Sequence, residues 1–353
     1  MIPTEPIGSI PRPKTLIDGM AAFAQGALSQ EDLRELQDEA LTDTIRRFEE
    51  TGSPVISDGE QTKSSFVTYP LDGVEDLAGD GFVIPFADGH TRQLPRLTSG
   101  PFRFGGYASR YLEAAKRHTQ VPVKQAVIAA SALSLLYPQE EIEGYPRDAF
   151  VEDLVGECEK DIRGSLEAGA HCVQIDFTEG RLACKFDPSG QLLRDFVALN
   201  NQVLDRFSDD ERSRIGVHTC PGGDLDSTHS ADVDYAQLLP DLFQLNVGNV
   251  YVELAAEADR GRVLDVIAEH LRPEQRIFVG VVDPIDPSVE SPEEVRDRVL
   301  EAAERLPGDR LGTTDDCGFS PFGDDDSTSR DVAFEKIRSR IEGTRLAEEV
   351  LGL

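Results

Sequence analysis

Residues 216–224 read GVHTCPGGD and place His218, Cys220 and Asp224 within one short stretch. Side chains on an extended chain alternate sides, so His218 and Cys220, two apart, project the same way and can share one ion. Two ligands do not make a metal site. Further candidates are Glu253 in NVYVELA (249–255), with Glu257 as a rival carboxylate, and Cys317 in RLGTTDDCG (310–318). One imidazole, two thiolates and one carboxylate form a plausible tetrahedral zinc set, and soft sulfur disfavours magnesium or calcium. Cys158, Cys172 and Cys184 read instead as small buried hydrophobes, and His229 in DSTHSAD as an ordinary loop residue.

Ligands so far apart in sequence meet only if the fold gathers several strand ends. Eight short β-rich runs are present: 5–10, 54–60, 121–130, 172–179, 214–220, 249–255, 276–283 and 310–318. Most are apolar throughout, as expected of parallel strands covered on both faces. Amphipathic helical stretches lie between them, including 31–52, 151–169 and 291–308. The last carries a capping-box pattern of Ser291 and Glu294 with Pro292 at the first helical position, and a final helix follows near the C-terminus. Eight strand–helix units predict a (β/α)8 TIM barrel; a doubly wound sheet would carry a Gly-rich phosphate turn after its first strand, and none is present. Residues 61–120 break the spacing and read as an insertion, with a hairpin around Asp88–Gly89 folding over one end of the barrel. The expectation is one domain over 1–353.

Active sites of such barrels sit at the C-terminal strand ends. Polar residues collect there: Ser9, Asp58 and Glu60, Asp176 and Glu179, His218 and Cys220, Glu253, Asp283, and Asp315, Asp316 and Cys317.

The formal net charge of -31 disfavours attraction to nucleic-acid backbones or anionic lipid. No apolar run approaches the roughly 20 residues of a membrane span, and the N-terminus lacks the basic start and apolar core of a signal peptide, so a cytoplasmic location is expected. Five scattered Cys argue against a disulfide framework.

The runs IGSIPRP, SDGEQ, VQIDFTEG, HTC and DDCGF, in that order, resemble the C-terminal catalytic barrel of cobalamin-independent methionine synthase. That barrel shares a superfamily with uroporphyrinogen decarboxylase and zinc-dependent coenzyme M transferases. The resemblance implies zinc held by His218, Cys220, Glu253 and Cys317. It also implies that Ile7, Gly8 and Ser9, with Glu60 and Asp176 as substrate-binding and catalytic carboxylates, receive homocysteine for methylation to methionine. An ammonium group calls for carboxylates, and a carboxylate calls for N–H and hydroxyl donors.

Departures bear on the methyl donor. The family's second, N-terminal barrel has no counterpart here, QIDFTEG stands for QIDEPA, and TTDDCGFSPF for NPDCGLK. Donors compatible with the resemblance are 5-methyltetrahydrofolate and a methyl-corrinoid, the latter with a corrinoid protein as partner. The alternatives are another thiol, such as coenzyme M, and a metal-free decarboxylase using Arg12 and Arg181 on a polycarboxylate.

Overall fold

The computed structural model describes residues 1–353. At its centre is a six-stranded parallel sheet: β1 (Gln125–Ile128), β2 (Val173–Asp176), β3 (Ile215–Thr219), β4 (Asn249–Val252), β5 (Arg276–Val282) and β6 (Leu311–Asp315), each paired with its neighbours in sequence order. These strands are buried almost throughout, as their continuous apolar runs require. Helices connect and cover them, among them α1 (Gln30–Glu50), α2 (Arg147–Glu167), α3 (Glu179–Phe186), α4 (Gln191–Leu204), α5 (Arg260–His270), α6 (Pro292–Ala303) and α7 (Arg330–Leu351). The capping box at Ser291 and Glu294 forms in both directions.

The expected first two strands are the exception. Residues 5–10 and 54–60 take strand positions without becoming regular strands: Thr4 bridges Thr313, Ile56 bridges Val123, and the two segments meet through Ile10 N–H donating to Gly59 O at 3.0 Å. The ring is therefore not closed by regular ladders. Proline supplies the reason, since Pro3, Pro6, Pro11 and Pro13 leave the first segment without the N–H groups a ladder needs. The insertion contains the expected hairpin, Val83–Pro85 against Thr91–Gln93, turning at Asp88–Gly89.

Away from the polar strand ends, the first segment is pinned by a buried cluster. Lys124 donates to Pro6 O at 2.9 Å, Tyr251 donates to Glu5 Oε2 at 2.6 Å, and His171 lies 3.3 Å from Glu5 Oε1. Burial alone pushes the Glu5 carboxyl up, but Lys124, His171 and Tyr251 outweigh it and bring it to about 2. A carboxyl whose folded pKa lies below its unfolded value stabilises the protein above the unfolded value and loses that contribution as pH falls toward the folded one. Glu5→Gln should therefore cost on the order of 2–3 kcal/mol near neutral pH, with the difference from wild type shrinking below about pH 4.5. Urea unfolding of both proteins across that range tests it; a gap that does not change with pH refutes it.

Candidate metal centre and substrate pocket

His218 and Cys220 lie at the C-terminal end of β3 and Cys317 just beyond β6, all three buried. Their ligand atoms lie within 4.8 Å of one another. The two sulfurs are 2.7 Å apart, with a hydrogen bond between them. That bond from Cys220, helped by the His218 charge and opposed by burial, lowers the Cys317 thiol to about 7, while burial pushes Cys220 well up. Cys317 is thus the more readily ionised sulfur of the pair. His218 Nδ1 lies 3.2 Å from Asp176 Oδ1, and its Nε2 3.3 Å from the carbonyl of Asp316. A carboxylate behind an imidazole fixes the ring and raises its basicity, the usual support for a metal-bound histidine. Two sulfurs and an imidazole at this separation fit a zinc ion.

The adjacent residues of the β6 end have separate anchoring roles. Asp315 pairs with Arg340 of α7 at 2.6 Å and accepts from Ile7 N–H at 3.3 Å. Asp316 accepts from the N–H groups of Leu254, Ala255 and Ala256 at 2.8–2.9 Å, gripping the loop that follows Glu253.

Glu253 is close by but engaged elsewhere. Arg181 of α3 donates to Glu253 Oε1 at 2.8 Å and to Glu257 Oε1 at 2.9 Å, so the two rival carboxylates share one guanidinium. Burial pushes the Glu253 carboxyl well up; Arg181 opposes this, and Asp316 and Glu257 add to it. Glu253 and Cys317 line a common cavity. The sulfur–imidazole cluster thus comprises three residues, with Glu253 held beside it by Arg181.

Asp224 is not a fourth member. Its carboxylate is taken by Arg92 at 2.5 and 3.0 Å and by His90 at 3.1 Å, which ties the insertion hairpin to the loop after Cys220. The arginines expected of a polycarboxylate site are likewise occupied: Arg12 donates to the carbonyls of Phe322, Glu60 and Lys63, and Arg181 to the two glutamates and to Val233 O. Cys158, Cys172 and Cys184 are buried and outside the cluster, as expected.

A pocket opens over the cluster, lined on one side by Ser9, Glu60, Asp176, His218 and Cys317. Phe66, Ile84, Phe86 and Phe322 supply its apolar lining, so the insertion hairpin contributes directly to the pocket. Ile7 also lines it, whereas Gly8 contributes a carbonyl that accepts from Ser57.

His229 is a loop residue outside the cluster, as expected, but not an exposed one. It sits in a loop but is buried, faces this cavity, and donates or accepts through Nδ1 with Ser230 Oγ at 2.9 Å. Burial, then Lys185 and Arg181, lower it to about 3, so it is a neutral imidazole. It fits because residue 222 is glycine: φ is +70°, and a Cβ there would lie 1.8 Å from His229 Nε2. The only sequence hint was the Pro221-Gly222-Gly223 run, which lets a loop fold back onto the strand end.

Residues 2–330 match the family described as cobalamin-independent synthase, catalytic domain. The chain belongs to that family. Similar proteins include methionine synthases of Saccharolobus islandicus (strain Y.G.57.14 / Yellowstone #1), 22% identical over 99% of this chain and 96% of that one, and of Sulfurisphaera tokodaii, 23% identical over 99% and 94%. Among solved structures, a B12-independent methionine synthase from Shewanella sp. W3-18-1 in complex with selenomethionine superposes with a TM-score of 0.78 at 18% identity, covering all of both chains. A putative vitamin-B12 independent methionine synthase from Listeria monocytogenes gives 0.68 at 21% identity, covering 99% of both. These likenesses establish the α/β barrel fold of the family for this chain. Membership of a cobalamin-independent family gives no support to the expected corrinoid partner. No helix is long and apolar enough to cross a membrane.

Proposed function

We propose that this member of the cobalamin-independent synthase family transfers a methyl group to the thiol of homocysteine, giving methionine, with zinc held by His218, Cys220 and Cys317 and with Glu253 as the exchangeable fourth ligand. The observation that carries the reading is the meeting of two sulfurs and an imidazole, of which His218 and Cys317 line a pocket that also presents Glu60 and Asp176. The names of the relatives and the selenomethionine in the Shewanella structure support it.

Bound zinc would lower the pKa of the substrate thiol so that it reacts as a thiolate near neutral pH. The protein's own residues do the rest. Glu60 and Asp176 face the ammonium end, and the N–H group of Ser9, which lines the pocket and makes no hydrogen bond within the protein, is available to the carboxylate. Asp176 also holds the His218 ring, coupling substrate binding to the cluster. Phe66, Ile84, Phe86 and Phe322 exclude water and offer a flat apolar surface to the ring of a donor such as 5-methyltetrahydrofolate. Orienting sulfur and methyl carbon in line is the largest contribution such a pocket makes. A sulfonate thiol such as coenzyme M would set its anion against two carboxylates, which favours the amino-acid thiol.

The test is turnover by zinc-reconstituted protein with homocysteine, with coenzyme M as the competing acceptor and methyltetrahydrofolate as the donor. Methionine formation that depends on zinc is expected. Methylation of coenzyme M in preference to homocysteine would overturn the reading.

A further inference from the structure

Lys63 is a fully buried cation that the reaction outlined above does not use. It follows Glu60 by three residues in a turn outside any helix or strand, and its Nζ donates to Glu60 Oε1 at 2.8 Å and to Ala126 O in β1 at 3.0 Å. Its charge also lies over the Tyr69 ring, 4.8 Å from the centroid. With those donors committed, Lys63 does not itself present a free ammonium to the cavity.

The turn is built to hold Glu60 in an uncommon backbone conformation. Glu60 has φ of 56°, one of three positive values among non-glycine residues. Such a conformation persists when its surroundings over-determine it, and it concentrates at functional sites. Here Arg12 Nη2 grips the carbonyls of Glu60 and Lys63 at 2.6 and 3.0 Å, and Asp58 Oδ1 accepts from Glu60 N–H at 3.1 Å. The result aims the Glu60 carboxylate into the pocket, where Oε1 is held by Lys63 and Oε2 has no hydrogen-bonding partner in the protein.

Resting on the reading of the pocket as an amino-acid site, we propose that Lys63 is a positioning residue for the substrate ammonium, holding one oxygen of Glu60 so that the other meets the ligand as an anion. The need for it is electrostatic. Glu60 is faced by Asp58 on its own turn, by Arg12 from the first segment and by Asp176 from β2. Burial, Asp176 and Asp58 all push its carboxyl up, and Lys63 opposes them. The carboxyl stays raised even so, and losing that cation raises it further and weakens its hold on an ammonium group.

The experiment is calorimetric titration of methionine into zinc-loaded wild type, Lys63→Met, Lys63→Arg and the double variant Glu60→Gln/Lys63→Met, from about pH 6 to about pH 9, with metal content measured in parallel. Lys63→Met should bind methionine about 10- to 100-fold more weakly near neutral pH. The deficit should shrink as rising pH ionises Glu60, zinc content should stay unchanged, and Lys63→Arg should recover part of the affinity. In turnover the loss should fall on KM and leave kcat within a few-fold. The double variant replaces the ion pair by neutral groups and keeps the test available should Lys63→Met not fold; it should bind weakly without the pH-dependent recovery. Wild-type affinity and pH profile in Lys63→Met, or wild-type affinity in the double variant, overturn this inference alone. A wild type that binds no methionine overturns the functional reading and this inference with it.

Discussion

Cys317→Ser is expected to leave the purified protein without stoichiometric zinc and to lower kcat by about 10³-fold or more. The figure corresponds to losing the several kcal/mol by which a metal supports the reacting charge. Cys317 is the sulfur held at about 7, by the hydrogen bond from Cys220 above all, and so the one ready to bind a cation as thiolate. A serine hydroxyl at the same place does not ionise in that range and is a poor ligand for a soft-donor site. The substitution is nearly isosteric in a buried position, so the fold should survive, and a far-ultraviolet spectrum matching wild type checks this. Cys184→Ser is the matched control: a buried thiol outside the cluster, whose replacement should leave metal content intact. Metal analysis showing equal zinc in Cys317→Ser and wild type would remove the basis of the proposed chemistry.

Arg181→Met should have the largest effect on stability. Arg181 is buried and carries both Glu253 and Glu257, and removing one partner from a buried pair costs up to about 3–5 kcal/mol, less to the extent that the burial-raised Glu253 carboxyl takes a proton instead. In this chain the released Glu253 has an alternative partner nearby, since it shares a cavity with Cys317. Zinc should therefore raise the melting temperature of Arg181→Met by more than it raises that of wild type, where the guanidinium competes for the same carboxylate. Thermal melts with and without zinc decide it. An equal shift in the two proteins would mean that Glu253 does not exchange between arginine and metal.

Much of this arrangement is legible in the sequence. His218 and Cys220 announce themselves through a spacing of two on an apolar run, because strand geometry converts that spacing into a shared direction. Cys317 is legible because DDCG follows such a run, and the barrel rule brings those ends together. Other features depend on partners that no local pattern encodes. Arg181 meets Glu253 across 72 positions, and an arginine on a short helix carries no mark of its partner. Lys63 reads as one more charged residue in a polar turn, since burial of a cation is a property of the assembled barrel. The first two segments read as strands because an apolar run is a local signal, whereas the missing proline N–H groups deny the first of them a ladder only once it is placed beside its neighbours. The burial of His229 is not legible, because a Ser- and Asp-rich loop ordinarily lies in solvent and the paired glycines that fold this one inward are common in loops of every kind.

The three adjacent side chains at the end of β6 serve three separate clients: the terminal helix through Arg340, the loop bearing Glu253 through Asp316, and the Cys220 sulfur through Cys317. Substitutions at this corner should consequently act through distinct contacts. An exchange at any one of the three should loosen a different wall of the pocket.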